Sequence, residues 1–441
     1  MNAVLIAVIV MVGLSLARVH VVLSLIIGAL VGGLMAGLGV ADSLNAFQEG
    51  IKNGAQIALS YAILGAFAMA IAHSGAPKLL ADSLTARLNG AGATGAVKWA
   101  LFGIIFVMAV FSQNLIPIHI AFIPLIVPPL LLLFNRLQVD RRLVACIITF
   151  GLVNTYMFIP YGFGDIFLNQ IILKNVGDAG MDTTGASIMQ IMMIPALGML
   201  LGLMTAIFIS YRKPRVYQNI QMQTIQEPDN TASDKPSTYR AVVALIAIVI
   251  AFVAHLYTDS LLIGSMAGFA VFMASGVVKW READGVFNDG IKMMAMIGFI
   301  MISAQGFAEV MKATGQIDAL VAGAMDIFGG NKGLAALVML IIGLVVTLGI
   351  GSSFSTVPIL AAIYVPLCMA MGFSMPATVA LIATAGVLGD AGSPASDSTL
   401  GPTMGLNIDG QHDHIKDTVI PTFVHYNIPL IVFGWIAAMV L

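Results

Sequence analysis

Asp390 and Asp397 stand in the run GDAGSPASDSTLGPT (Gly389–Thr403), which holds no Lys or Arg and surrounds the two carboxylates with Ser393, Ser396, Ser398 and Thr399. Carboxylate, hydroxyl and carbonyl oxygens without His or Cys ligand spacing suit a small hard cation rather than a redox metal. One chemistry for the run is that Asp390 or Asp397 binds a coupling Na+ or a proton. The other is that a carboxylate caps a helix start, as Asp397 would before Ser398-Thr399. The setting sharpens the first reading, because the preceding run Ala377–Leu388 (ATVALIATAGVL) reads as a membrane helix. A polar break at that depth is tolerated only where it lines a cavity or is buried in protein. An intramembrane carboxylate is by default a candidate functional site.

The elements that must position such a run are membrane helices. Of 441 residues, 59% are hydrophobic and 10% charged, against about 25% charged in a soluble domain. Many apolar runs of spanning length, parted by short polar turns, predict an all-α polytopic membrane protein and exclude a porin-type barrel, whose strands would alternate. Net charge is −2 with no basic patch, so no nucleic-acid partner is expected. Cys146 and Cys368 lie in apolar runs, which points to packing, and the 27 methionines are spread through such runs in the same way. The run Ala3–Ala17 lacks a basic leader and is followed by Arg18 and a second apolar run, so it reads as the first span. Neither an HExxH motif nor a Gly-x-Ser-x-Gly elbow occurs, and no enzyme is expected.

The chain is written twice. FQEGIK in the segment Asp42–Lys52 returns as FNDGIK in Asp284–Lys292, and Ser74–Leu80 is answered by Thr314–Leu320 at the same offset. SQNLIP (Ser112–Pro117) parallels SFSTVP (Ser353–Pro358), and Phe150–Pro160 parallels Ala385–Pro394. The break at Gly389–Thr403 therefore has a counterpart in NTYMFIPYGFGD (Asn154–Asp165). Each half parses as three spans, a helix–tip–helix hairpin, a broken helix and a last span. These fall near 3–17, 21–38, 54–72, 98–135, 143–173 and 189–211, then 240–256, 261–278, 292–311, 333–372, 377–410 and 420–441. The expected organisation is a first repeat at 1–212, a polar cytoplasmic linker at 213–239 and a second repeat at 240–441.

If each hairpin enters and leaves on one side, each half crosses five times, so the halves are inverted-topology repeats. Placing Arg136, Arg141 and Arg142 inside puts both termini outside and leaves only Lys52, Lys174, Lys312 and Lys332 of the 20 basic residues outside, the positive-inside bias. A multi-pass protein of the inner (cytoplasmic) membrane is expected.

Paired interrupted helices in inverted repeats point to a secondary transporter with its site at the repeat interface near the midplane. Half-helix N-termini there offer N–H groups to an anion, and unwound carbonyls and hydroxyls offer oxygens to a cation. The substrate candidates are Ser112, Gln113, Asn114 and His119 around the first tip, Ser352, Ser353, Ser355 and Thr356 at the second, and Asn154, Thr155 and Ser393 at the breaks. The cation candidates are Asp390, Asp397, Ser396, Ser398, Thr399 and Asp165, with Na+ placed near Asn114, Ser355 and Asp390. Against each tip stands the reading that Ser, Asn and Gly cap two helices at a buried turn, and against His119 that it is a hydrogen-bonded core histidine. Tyr161 also lies in the first break. Glu309 reads as interfacial, His412, Asp413 and His414 as a solvated loop rather than a metal cluster, and His425 and Asn427 as weak candidates.

The residues GDAGSPASDSTLGPTMGLNIDGQHDHIKDTVIPTFVHYNIPL (Gly389–Leu430) resemble the sodium–proton antiporter family of NhaC type, in its branch of amino-acid permeases. The resemblance covers nearly the whole chain. It implies the fold of the ion-transporter superfamily, a homodimer, and a transport domain of two hairpins and two broken helices that moves as an elevator against a scaffold. It also implies sodium sites near Ser112–Asn114 and Ser353–Thr356. Two functions remain open on the residues. One is Na+- or H+-coupled transport of a small carboxylate-bearing solute such as an amino acid, with no cofactor beyond the coupling ion. The other is Na+/H+ exchange without an organic substrate.

Overall fold

Apolar runs fold as helices throughout. The computed structural model describes residues 2–17, 19–76, 79, 95–114, 119–218, 238–258, 260–350, 353–394 and 396–441, and every regular element among them is helical. Helices Gly95–Asn114, Ile188–Ser210, Thr238–Thr258 and His414–Val440 are each long and apolar enough to cross a membrane. A further pair, Arg141–Phe158 and Phe163–Asp178, passes that test together while bending by 57°.

Short polar side chains set the helix starts. The Asp140 carboxylate accepts from the Arg142 N–H at the head of Arg141–Phe158, and Ser374 accepts from Ala377 N–H at the head of Met375–Val387, whose first turn holds Pro376. Each satisfies one of the N–H groups that a helix start leaves open.

The third span of each half is longer than hydropathy implies. Helix Gly39–His73 has 35 residues and Ala283–Ala313 has 31, about 52 and 46 Å at 1.5 Å per residue. The repeated FQEGIK and FNDGIK segments thus lie inside helices rather than ahead of spans at 54–72 and 292–311. Polarity alone does not stop a helix: Lys52 pairs with Glu49 and Lys292 with Asp289 one turn back on the exposed faces.

These two long helices cross in close contact, and glycine permits it. A Cβ on Gly50 would lie 2.4 Å from the Gln305 carbonyl oxygen and 2.7 Å from Gly306 Cα. At the other end a Cβ on Gly290 would lie 2.3 Å from the backbone of Ala66, and one on Gly65 would lie 2.3 Å from the Gly290 carbonyl. Low numbers on one helix meet high numbers on the other, so the pair is antiparallel.

The spans read from the sequence leave out helix Ile317–Phe328, whose 12 residues are too few to cross a bilayer alone. The segments expected as hairpins hold helices Gly95–Asn114 and His119–Arg136, and Lys332–Ile350 and Ser353–Ala370. The links 115–118 and 351–352 lie outside the described residues, as do 219–237 of the polar linker. Residues 388–396, between Met375–Val387 and Asp397–Leu406, are not helical where described. Gly389 and Gly392 have φ +91° and +128°, and a Cβ on Gly392 would fall 2.6 Å from Phe423 Cα. That backbone and that contact both require glycine.

Candidate functional site

Asp390 lies in this non-helical stretch, buried, and hydroxyls surround it. Ser396 Oγ donates to its Oδ1 at 2.5 Å, and Tyr156 donates to its Oδ2. The hydroxyls of Ser353 and Ser398 also face it. Tyr156 Oη is in turn 2.9 Å from Ser353 Oγ. Three separate elements therefore meet at one carboxylate: helix Arg141–Phe158 through Tyr156, helix Ser353–Ala370 through Ser353, and the end of the non-helical stretch with the start of Asp397–Leu406 through Ser396 and Ser398.

Aromatic rings close one side of this cluster. Tyr156 stacks edge-on against Phe167 at 4.9 Å between ring centres, and Phe354 lies 5.4 Å from Tyr156 and 4.6 Å from Phe163. A carboxylate in such surroundings has little water to solvate it, so its hydroxyl neighbours carry its charge by hydrogen bonding.

The loop that carries Asp390 is held by Asn427. The Asn427 side chain accepts from Gly389 N–H at 2.8 Å and donates to the Ala391 carbonyl at 2.9 Å, and it is fully buried. Thr399 Oγ1 donates to the Ser393 carbonyl at 2.5 Å and also to Ser396, Ser393 Oγ donates to Leu348 at 3.4 Å, and Thr149 donates to the Ser398 carbonyl at 2.8 Å.

Asp397 takes a different position. It is exposed in the first turn of Asp397–Leu406, where the cap is Ser396, whose Oγ accepts from Ser398 N–H. A carboxylate there favours the positive end of the helix dipole. Asp165 is buried but satisfied by its own helix, accepting from Asn169 at 2.6 Å and Gln170 at 3.0 Å.

A second polar group forms where the first hairpin meets the first break. The amide oxygens of Gln113, Asn114 and Asn154 are buried with no hydrogen-bond partner among the described residues. Asn114 donates through Nδ2 to the Ile159 carbonyl at 3.4 Å, and a Cβ on Gly164 would lie 2.0 Å from that same carbonyl. Ser112 and Thr155 turn their hydroxyls back to the carbonyls of Ala109 and Gly151 in their own helices. Buried acceptors left unpaired call for a donor or a cation. Of the other candidates, Thr356 is buried, Ser352 lies outside the described residues, and so do the side chains of His119 and Ser355.

Two expectations change. Tyr161, in the first break, is 51% exposed, and the aromatic residue that reaches the carboxylate is Tyr156. The segment His412–His414 is not a simple solvated loop: His412 is buried, with Nε2 2.7 Å from Thr418 Oγ1, and burial holds its imidazole down at about 4. His414 lies 2.8 Å from Thr403 Oγ1 and 3.0 Å from the Pro394 carbonyl. A turn at Asn407–Gly410 precedes this segment, with His412 buried, His414 half-buried and Asp413 left exposed. Among the described residues no group of His, Cys, Asp and Glu is placed to hold a metal.

Nearby, Arg141 is wholly buried and grips Asp409 through two bonds of 2.6 Å. Burial would raise the Asp409 carboxyl, but its bonds with Arg141 and Gln411 outweigh that and hold it below its ordinary value. Tyr156, Arg141 and Asp409 carry no local signal of such roles, since a tyrosine in an apolar run reads as packing and charges at a hairpin base read as interfacial.

A buried carboxylate in a non-helical stretch between membrane helices is compatible with a transporter, and the comparisons give that class. The Na+/H+ antiporter family matches residues 147–435, and a second Na+-H+ antiporter family matches residues 2–88. The chain belongs to the Na+/H+ antiporter family of membrane transporters. It is 55% identical to an uncharacterized membrane protein of Vibrio parahaemolyticus over the whole of both chains, and 47% identical to the candidate amino acid transporter YuiF of Bacillus subtilis, again over the whole of both. Its fold is similar to that of the YdaH transporter of Alcanivorax borkumensis, with TM-score 0.57 and 13% identity over 90% of this chain and 88% of that one. It is likewise similar to MtrF of Neisseria gonorrhoeae, one of a class of antimetabolite efflux pumps, with TM-score 0.59 and 14% identity over 91% and 85%.

Proposed function

We propose that this chain is a secondary active transporter that couples a Na+ or H+ gradient to movement of a small carboxylate-bearing solute, an amino acid being the best fit. The observation that carries this is Asp390, a buried carboxylate surrounded by hydroxyls from three elements. Asp390 with Ser396, Ser398 and Thr399 forms the cation side, and the unpaired amide oxygens of Gln113, Asn114 and Asn154 form a second oxygen-rich group near the first tip. Ser353, Ser355 and Thr356 head a helix whose N-terminus suits a carboxylate without a fixed arginine. The name of the YuiF relative supports the amino-acid assignment.

The repeats form an inverted pair, 1–212 and 240–441, joined by the linker 213–239. The crossing of the long helices supports this. Shifted by the repeat offset, Gly50 becomes Gly290 and Gly65 becomes Gln305, so the contact of Gly50 with Gln305 maps onto that of Gly290 with Gly65. An antiparallel pair related in this way is what a two-fold axis in the membrane plane produces. The hairpins and broken helices then move as an elevator in a homodimer, both termini outside the inner membrane.

Exchange of Na+ for H+ without an organic solute is the second reading, favoured by the family itself. Thermal stability of the purified protein against amino acids, with and without Na+, separates the two. Stabilisation by an amino acid that strengthens with Na+ supports the first. No such stabilisation, together with Na+-driven proton efflux from vesicles, establishes the second. Asp390→Asn abolishes cation dependence under either, and unchanged coupling in that variant rejects both.

A further inference from the structure

We propose that Tyr156 is a positioning residue whose single hydroxyl proton makes hairpin two answer to the cation at Asp390. This rests on the coupled-transport reading and adds to it the residue that transmits occupancy.

A phenol has one proton to donate. Tyr156 spends it on Asp390 Oδ2, so its 2.9 Å contact with Ser353 leaves the serine proton shared between the phenol oxygen and the carboxylate that the serine also faces. A cation that takes Oδ2 repels the phenol proton, and the phenol then donates to Ser353 instead. Ser353 must turn its own proton elsewhere. Ser353 is the first residue of helix Ser353–Ala370, the second arm of hairpin two, so this reversal falls at the hairpin tip. Tyr156 belongs to Arg141–Phe158 in the other half of the chain. Its ring is held by Phe163, Phe167 and Phe354, so the hydroxyl stays between Asp390 and Ser353.

Tyr156→Phe keeps the ring packing and removes the proton. The phenol competes with the cation for Oδ2, so its loss lets Na+ bind more tightly, by about tenfold for one hydrogen bond to a charged group. The tip no longer receives the signal, so the initial rate of radiolabelled Na+ uptake into proteoliposomes falls by at least about tenfold. Affinity is read as the NaCl concentration for half-maximal thermal stabilisation, with choline chloride holding ionic strength. General damage to the site would weaken binding and rate together. A half-saturating Na+ concentration that is unchanged or raised, or a wild-type uptake rate, overturns the proposal. Ser353→Ala removes the acceptor to which the phenol turns, so it slows uptake, and adding it to Tyr156→Phe costs little more in rate. Additive losses overturn the relay even if Tyr156→Phe alone folds poorly. A wild-type protein indifferent to Na+ in both measurements sinks Na+ coupling and this proposal together, whereas a responsive wild type with a matching Tyr156→Phe sinks only this one.

Discussion

Arg141 holds both oxygens of Asp409 at 2.6 Å across a separation of 268 residues. The same guanidinium donates to the Leu406 carbonyl and to Asn135, and the Tyr217 ring lies 4.4 Å from it. One fully buried cation thus ties the start of helix Arg141–Phe158 to the loop after helix Asp397–Leu406, and brings in Tyr217.

Breaking that pair should be costly. Arg141→Ala or Asp409→Ala leaves an uncompensated buried charge and is expected to lose about 3–5 kcal/mol, whereas Arg141→Met with Asp409→Leu recovers most of it. Thermal unfolding in detergent measures this. A single variant as stable as wild type contradicts the account.

Acid should destabilise the same end of the molecule in two stages. His412 is held at about 4 against an ordinary 6.5, so the unfolded chain binds the extra proton first. Its contribution is complete above 6.5 and is lost as pH falls toward 4, amounting to about 3 kcal/mol. The Asp409 carboxyl is held below 3.8, so its share is present above that value and lost only below it. His412→Gln should flatten the upper stage alone. A melting temperature constant from pH 7 to 4.5 in the wild type counts against the buried neutral histidine.

Asn427 should matter more than its place at the head of a last span implies. Asn427→Leu strips partners from Gly389 N–H and the Ala391 carbonyl, both buried, at a cost of about 2 kcal/mol or more. It also frees the loop beside Asp390, so cation-dependent stabilisation should weaken at least tenfold. Intact Na+ dependence in a folded Asn427→Leu protein refutes the clamp.

The crossing of the long helices predicts a matched pair of effects. Gly50→Ala and Gly290→Ala each drive a Cβ into backbone at 2.4 and 2.3 Å, and each should destabilise by about 1–3 kcal/mol or more. Gly285→Ala, with open space around its Cβ, should be neutral or stabilising by up to about 1 kcal/mol. Melting temperatures of the three variants decide the matter, and a tolerated Gly290→Ala disproves the close approach.

Much of the architecture was legible in the chain. Apolar runs locate the helices because lipid-facing backbone must satisfy its own hydrogen bonds, and the interruption at Gly389–Thr403 stands out because polar residues replace that run. Hydropathy shows only part of the long helices Gly39–His73 and Ala283–Ala313, because it tracks membrane burial and helices continue beyond it. Helix Ile317–Phe328 escaped notice because twelve residues fall below spanning length.

The sequence by itself determined the membrane class, the helical content, the duplicated segments, the family and the presence of two carboxylates in one polar break. Only the tertiary structure decided that Asp390 is buried among hydroxyls while Asp397 is exposed at a helix start. It also supplied the partners: Tyr156 lies 234 residues from Asp390, and Asn427 lies 38 residues from Gly389. The physical reason is range. Periodicity and hydropathy report how one segment meets its surroundings, whereas a hydrogen bond of under 3 Å is set by how separate helices pack, which no local pattern encodes.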